Sequence, residues 1–331
     1  MNPVLNSNNR HKAALAIVLL GLTFLEKGHT ISVEEHYGNK NSLEPWFTGP
    51  LLAPSGHVVP FGHINVEPYE YYTVIPGKYD SNWKYHSQEN YYTAVTQIVL
   101  QTGIYKNVGI TIIPQLVSNS HKGKRYFGFG DLPVKISVQL REGKINSWAP
   151  AMRIGAQVNF PVGSYDGLDP NNLATDSLGT GSWLPNIGIV LSAIKQLGES
   201  IHFLGYRFYS SFTVGTATSV NGANVYGGDV NTKGTVFPGN IFQIGASVEA
   251  NFTKRFGFAM DMVYNHFNKT RFTGKTIVPN TQPSAELFSI APALEYNWSE
   301  NIGIIAGTWF TVMGRNSSSF NSAVIAINIY N

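Results

Sequence analysis

Residues 130–143, GDLPVKISVQLREG, alternate strictly. Leu132, Val134, Ile136, Val138 and Leu140 fall on one side of an extended chain, and Lys135, Ser137, Gln139 and Arg141 fall on the other. Successive side chains of a strand point to opposite faces, so one face is aliphatic and the other polar. The pattern recurs over 148–161, where Met152, Ile154, Ala156, Val158 and Phe160 alternate with Arg153, Gly155, Gln157 and Asn159. It recurs over 239–252, where Phe242, Ile244, Ala246, Val248 and Ala250 alternate with Gln243, Gly245, Ser247, Glu249 and Asn251. Over 285–298, Phe288, Ile290, Leu294, Tyr296 and Trp298 oppose Ser289, Ala291, Ala293, Glu295 and Asn297. The second face is often small as well as polar. A soluble sandwich would bury the aliphatic face in its core; a membrane barrel would turn it to lipid and keep the small polar face in a wet lumen.

About twelve such segments follow residue 63: 63–76, 91–105, 108–118, 130–142, 148–161, 183–196, 201–215, 239–252, 255–267, 285–298, 302–314 and 319–330. Most exceed the five or six residues usual in soluble strands and match the nine to eleven that cross a bilayer with tilt. Connections after odd strands are mostly long (77–90, 119–129, 162–182, 216–238, 268–284; the last, 315–319, is short), and those after even strands are short (106–107, 142–147, 196–200, 253–255, 299–301). That parity is the signature of an outer-membrane barrel with long loops outside and short turns facing the periplasm. The expected fold is therefore all-β: a transmembrane antiparallel up-and-down β-barrel of about twelve strands over 63–331. Pro68, Pro114 and Pro292 fall inside expected strands, where each removes a ladder hydrogen bond, so bulges or kinks are expected there.

Composition agrees. Charged residues are 13% of the chain, about half the share of a soluble domain, while aromatics reach 13%, enough for interfacial girdles. The net charge of +3 is small and scattered and argues against nucleic acid. There is no cysteine. Residues 1–28 resemble an export signal: Arg10, His11 and Lys12 precede the apolar run 13–25, too short for a spanning helix. These features place the protein in the outer membrane of a Gram-negative bacterium, with outer-membrane lipids around it and the barrel-assembly machinery as the partner for insertion.

On this register Lys135, Arg141, Arg153 and Arg207 face inward from strands four, five and seven, and Glu249, Asp261 and Glu295 from strands eight, nine and ten. A charge in mid-membrane hydrocarbon costs about 2–4 kcal/mol, so these seven face water or one another. They form either a basic and an acidic wall with a field between them or simple bracing of the lumen. The segment 45–62, PWFTGPLLAPSGHVVPFG, is apolar but rich in Pro and Gly, so neither helix nor regular strand is expected. It is read, within an N-terminal region 29–62, as a leader or as a lumen plug in which Trp46, Phe47, Leu51, Leu52, Val58, Val59 and Phe61 meet an apolar solute. Asp166, Asp169 and Asp176 lack the spacing of a Ca²⁺ loop and read as a solvated turn. No HExxH, GxSxG or phosphate-loop motif occurs, so neither an enzyme nor a cofactor is expected.

FGDLPVKISVQL (129–140), PAMRIGAQVNFPVG (150–163) and SLGTGSW (177–183) resemble the MetA-pathway of phenol degradation family, outer-membrane barrels related to long-chain fatty-acid transporter proteins. The resemblance spans about 45–331 and implies a passive route for small hydrophobic or aromatic compounds. It also implies an N-terminal hatch and a kinked wall strand, parts that 45–62 and Pro68, Pro114 and Pro292 are positioned to supply. Two functions are carried forward: passive passage of small hydrophobic or aromatic solutes, and a structural or surface-interaction barrel with a blocked lumen.

Overall fold

The computed structural model describes residues 48–144, 147–198, 201, 203–277, 279 and 281–331. The expected signal, and Trp46 and Phe47 of the candidate plug, lie outside the described residues. Twelve antiparallel strands form the wall. They are β1 (Ile64–Tyr79), β2 (Tyr85–Tyr105), β3 (in two pieces, Val108–Ile112 and Gln115–His121), β4 (Lys124–Phe129 and Leu132–Arg141), β5 (Ala151–Phe160) and β6 (Leu184–Gln196). The second half comprises β7 (Phe203–Thr213), β8 (Ile241–Asn251), β9 (Phe256–Phe267), β10 (Ala285–Asn297), β11 (Ile302–Arg315) and β12 (Ser318–Tyr330). Each strand pairs with its neighbour in sequence, and β1 pairs with both β2 and β12, closing the sheet. Closure removes the free edges that a bilayer would not tolerate.

The two faces separate as the alternation requires. Ile136 on β4 and Leu294 on β10 are 51% and 54% exposed on the outer surface, whereas their neighbours Ser137 and Glu295 are 3% and 0% exposed. Aromatic side chains gather at both ends of the outward band. Trp148 stacks on Tyr206 near the short turns, and Phe160 packs on Trp183 near the long loops, the two interfacial levels of a bilayer. The outward band also carries a polar spot, where Thr96 Oγ1 donates to Glu70 Oε2 at 2.5 Å.

The prolines sit where pairing lapses. Pro68 lies in a gap of the β1–β12 ladder between Val66↔Ile329 and Tyr69↔Ala326, and Pro292 in a gap of the β10–β11 ladder between Ile290↔Phe310 and Ala293↔Gly307. Pro114 divides β3, and β4 takes up one extra residue opposite it, since Ile112 pairs with Val134 but Leu116 with Phe129. The ladder hydrogen bonds that proline cannot make are lost locally, while register is kept across the first two gaps.

Two expected loops are largely strand. Over 119–129 the wall continues beyond the membrane and turns at Lys122 and Gly123, whose φ of 47° and 78° are the left-handed pair of a two-residue hairpin turn. Over 77–90 the hairpin extends to Tyr79 and Tyr85, and Asp80 Oδ1 accepts from the Asn82 and Lys84 amides. The remaining outer loops carry their own structure. Asp131 accepts from Gly163 N, Thr180 N and Thr180 Oγ1, so FGDLPV, NFPVG and SLGTGSW, far apart in sequence, meet at one place on the outer rim. A four-stranded sheet of Thr218–Asn221, Lys233–Phe237, Thr270–Lys275 and Thr281–Gln282 stands above β8 and β9.

Candidate functional site

The site is the barrel interior. Residues 48–62 run through it and touch wall strands from β11 round to β2. Thr48 Oγ1 donates to Asn297 Oδ1 on β10 at 2.8 Å. The amides of Leu52 and Ala53 donate to the two carboxylate oxygens of Asp261 on β9, at 3.1 and 3.0 Å. Arg207 Nη1 on β7 donates to Ala53 O at 3.1 Å. Gln139 on β4 holds both directions of the backbone, accepting from Val58 N at 2.7 Å and donating to Gly56 O at 2.9 Å. Arg153 Nη1 on β5 donates to His57 O at 3.3 Å. Phe61 bridges to Gly103 on β2. Gly103 has to be glycine, because a Cβ there would collide with the Val59 carbonyl and with Pro60. Gly109 on β3 makes the same room for Val58.

The expected plug residues separate in role. Leu51 is 2% exposed and packs among Ala259, Ala291, Ala293, Ile305, Val324 and Ala326, with Tyr69, Tyr71 and Trp309 at the edge. Leu52 lies between that cluster and a second one of Ala53, Val190, Tyr209 and Val263. Val58 and Val59 lie against β2 and β3. Phe61 is 66% exposed at the short-turn end and fills no apolar pocket. The alanines that the sequence presents as empty lumen are small because chain packs on them.

Of the seven charges, Arg153, Glu249, Asp261 and Glu295 are buried inside, and Arg207 Nη2 stands 3.7 Å from Glu249 Oε2. Lys135 lies across Gly155. Arg141 does not join them. A register shift between Gln139 and Arg141 sets Arg141 opposite the outward Met152, where it is exposed and donates from Nε to Pro150 O at 2.8 Å. Alternation cannot foresee that shift, because one extra residue in a strand exchanges its faces. The walls are joined through peptide groups as well as through Arg207. The acidic wall accepts N–H from 52 and 53, and the basic wall donates to C=O of 53 and 57.

Glu67 on β1 is an inward charge missing from the alternation reading. Its carboxylate accepts from Asn65, Gln101, Asn328 and Tyr69. Both faces of INVEPYEYY carry a glutamate, so β1 gives no direction by itself. The available signal was Gln101 and Asn328 on the small or polar faces of the neighbouring strands. In the outer loop, Asp176 is buried and accepts from Asp169 N and Asn172 Nδ2, while Asp169 caps the turn at Pro170–Asn172. These carboxylates order the loop. Among the described residues no group of three or more His, Cys, Asp or Glu side chains is placed to hold a metal ion.

No protein-family model matches this sequence, and no curated protein matches it. Solved structures do. The COG4313 outer membrane channel from Pseudomonas putida F1 aligns over 84% of this chain and 98% of its own, with a TM-score of 0.65 at 12% identity. The NanC porin aligns over 80% of this chain and 98% of its own, with a TM-score of 0.42 at 11% identity. A deletion mutant of the TodX monoaromatic hydrocarbon channel aligns over 82% and 90%, with a TM-score of 0.36 at 11% identity. The first of these likenesses establishes the fold: this chain is built as an outer-membrane β-barrel.

Proposed function

We propose that this protein is a passive channel for small hydrophobic or aromatic solutes, closed at rest by residues 48–62. The observation that carries the reading is Leu51. It occupies an apolar pocket of alanines and aromatic edges inside the barrel, the larger of two apolar clusters that meet at Leu52. A small apolar solute is chemically equivalent to that side chain and competes for the same surface, where burial is worth about 25 cal/mol per Å² of apolar area. Passage needs neither ATP nor covalent chemistry. The resemblance to the phenol-degradation family and the channel fold of the P. putida neighbour agree with this reading.

The test is deletion of 48–62, with conductance in planar bilayers and uptake of a small aromatic compound by cells expressing the full or the shortened chain. Higher conductance and faster uptake on deletion are expected. Unchanged conductance would return the protein to the second reading, a structural or surface-interaction barrel, which the buried interior charges also fit.

A further inference from the structure

The four-stranded outer sheet has two unlike faces. One carries Val220, Val236 and Phe272, buried against Tyr165 and Tyr226 of the other outer loops. The other points away from that loop cluster and carries exposed Lys233, Arg271 and Lys275 among hydroxyl side chains. No acidic residue lies on it within Thr218–Asn221, Lys233–Phe237 or Thr270–Lys275. Lys233 stands directly opposite Lys275 in the ladder. Like charges directly opposed across two strands are destabilising, and among the described ion pairs none includes Lys233, Arg271 or Lys275. The pairing therefore works against the sheet unless something anionic lies over it.

The position says what that is. Thr270–Lys275 begins three residues after β9 ends at Phe267, and Lys233–Phe237 ends four residues before β8 begins at Ile241. Asn268 N donates to Asn240 O at the junction. The row nearest the membrane is Phe237↔Arg271, with the guanidinium 5.7 Å from the phenyl centroid. The Lys233↔Lys275 row is four residues further out, roughly 13 Å at about 3.3 Å per residue. From the bilayer outward the face thus presents an aromatic ring, a guanidinium that suits bidentate phosphate contacts, hydroxyls, and then two ammonium groups.

We propose that this face docks the phosphorylated glycolipid of the outer leaflet, lipopolysaccharide. Arg271 and the lysine pair take its phosphates, Thr235, Thr273 and Ser219 its sugar hydroxyls, and Phe237 the acyl boundary. The proposal rests on the barrel fold and is independent of the channel reading.

The experiment uses the full chain in mild detergent, titrated with purified lipopolysaccharide, with the same glycolipid after dephosphorylation, and with inorganic phosphate alone. Binding is read by native mass spectrometry at two salt concentrations. The variants are the triple substitution Lys233→Gln, Arg271→Gln, Lys275→Gln and the single Lys275→Gln. Heat-modifiable gel mobility verifies the barrel in each, and conductance is expected to stay at the wild-type level. Intact glycolipid should bind the wild type at least tenfold more tightly than the triple variant, with the single variant between them. Dephosphorylated glycolipid should bind wild type no better than intact glycolipid binds the triple variant, and higher salt should weaken wild-type binding most. Equal binding by wild type and triple variant, or undiminished binding of dephosphorylated glycolipid, would overturn the assignment. So would saturation by inorganic phosphate with no preference for the glycolipid.

Discussion

The two sides of the interior hold the same segment by different chemistry. On the β9–β12 side the wall is alanine, and Leu51 is held by shape and burial, with one carboxylate, Asp261, taking two amides. On the β4–β7 side the wall is long and polar: buried Gln139 holds the Val58 amide and the Gly56 carbonyl, buried Arg153 reaches the His57 carbonyl, and Arg207 reaches the Ala53 carbonyl. Carboxylates meet N–H and guanidinium groups meet C=O, so the orientation of the segment's peptide groups matches the polarity of the walls. A reversed segment would present each wall with the wrong partner. The difference teaches that fit resides on the acidic side and direction is read on both.

Breaking the acidic side should have the largest effect. Asp261→Ala removes two hydrogen bonds to a charged group, each worth about 1.5–3 kcal/mol. About 3 kcal/mol in total corresponds to roughly a hundredfold rise in the open population, to be read as open probability in single-channel records. Next, Leu51→Ala leaves a cavity among the alanines and costs about 2 kcal/mol at the lower end of such truncations. The chain has no cysteine, so Pro54→Cys is a clean reporter, and Leu51→Ala in that background should raise its maleimide labelling rate about tenfold or more. Equal labelling with and without Leu51 would mean that shape is not what holds the segment. On the basic side, Arg153→Gln removes one carbonyl contact at 3.3 Å and should shift opening by about 1 kcal/mol or less. Together with Lys135→Gln it should move reversal potentials toward cation selectivity, while Arg141→Gln at the rim should leave them unchanged.

The smallest effect lies outside the membrane. Hydrogen bonds from His86 and from the Lys84 and Asn82 amides bring the Asp80 carboxyl from its ordinary 3.8 down to about 2. A depressed carboxyl supports the folded hairpin above the ordinary carboxylate range, and that support fades as pH falls through about 2. The protection of the Asn82 and Lys84 amides, taken as exchange relative to the intrinsic rate at each pH, should therefore fall as pH drops toward about 2, and Asp80→Asn should show the lower protection already at neutral pH.

Strand number, strand order and the two faces were legible in the sequence, because lipid on one side and chain or water on the other impose alternation on every crossing. Leu294 and Glu295 are adjacent, and their burial differs as their polarity does. The parity of loop length was legible for the same topological reason, although 119–129 proved to be a hairpin whose Lys–Gly turn reads locally as a solvated loop. Arg141 was misplaced by a shift that alternation cannot foresee, and Glu67 was hidden by a glutamate on each face of β1. The course of 48–62 was the least legible part. Its hydrogen bonds to the wall come mainly from backbone groups, which every residue possesses, so the polar side chains of the segment record little of where it lies.

On the proposed channel reading, residues 48–62 are a stopper carried on its own chain, which never diffuses away. Tethered at Ile64, only a few residues beyond its last wall contact, it faces its pocket at a local concentration of order millimolar or more. On that reading a solute has to compete with this standing concentration before the conduit responds, so leak at trace exposure would stay low while flux would rise once the outside is rich.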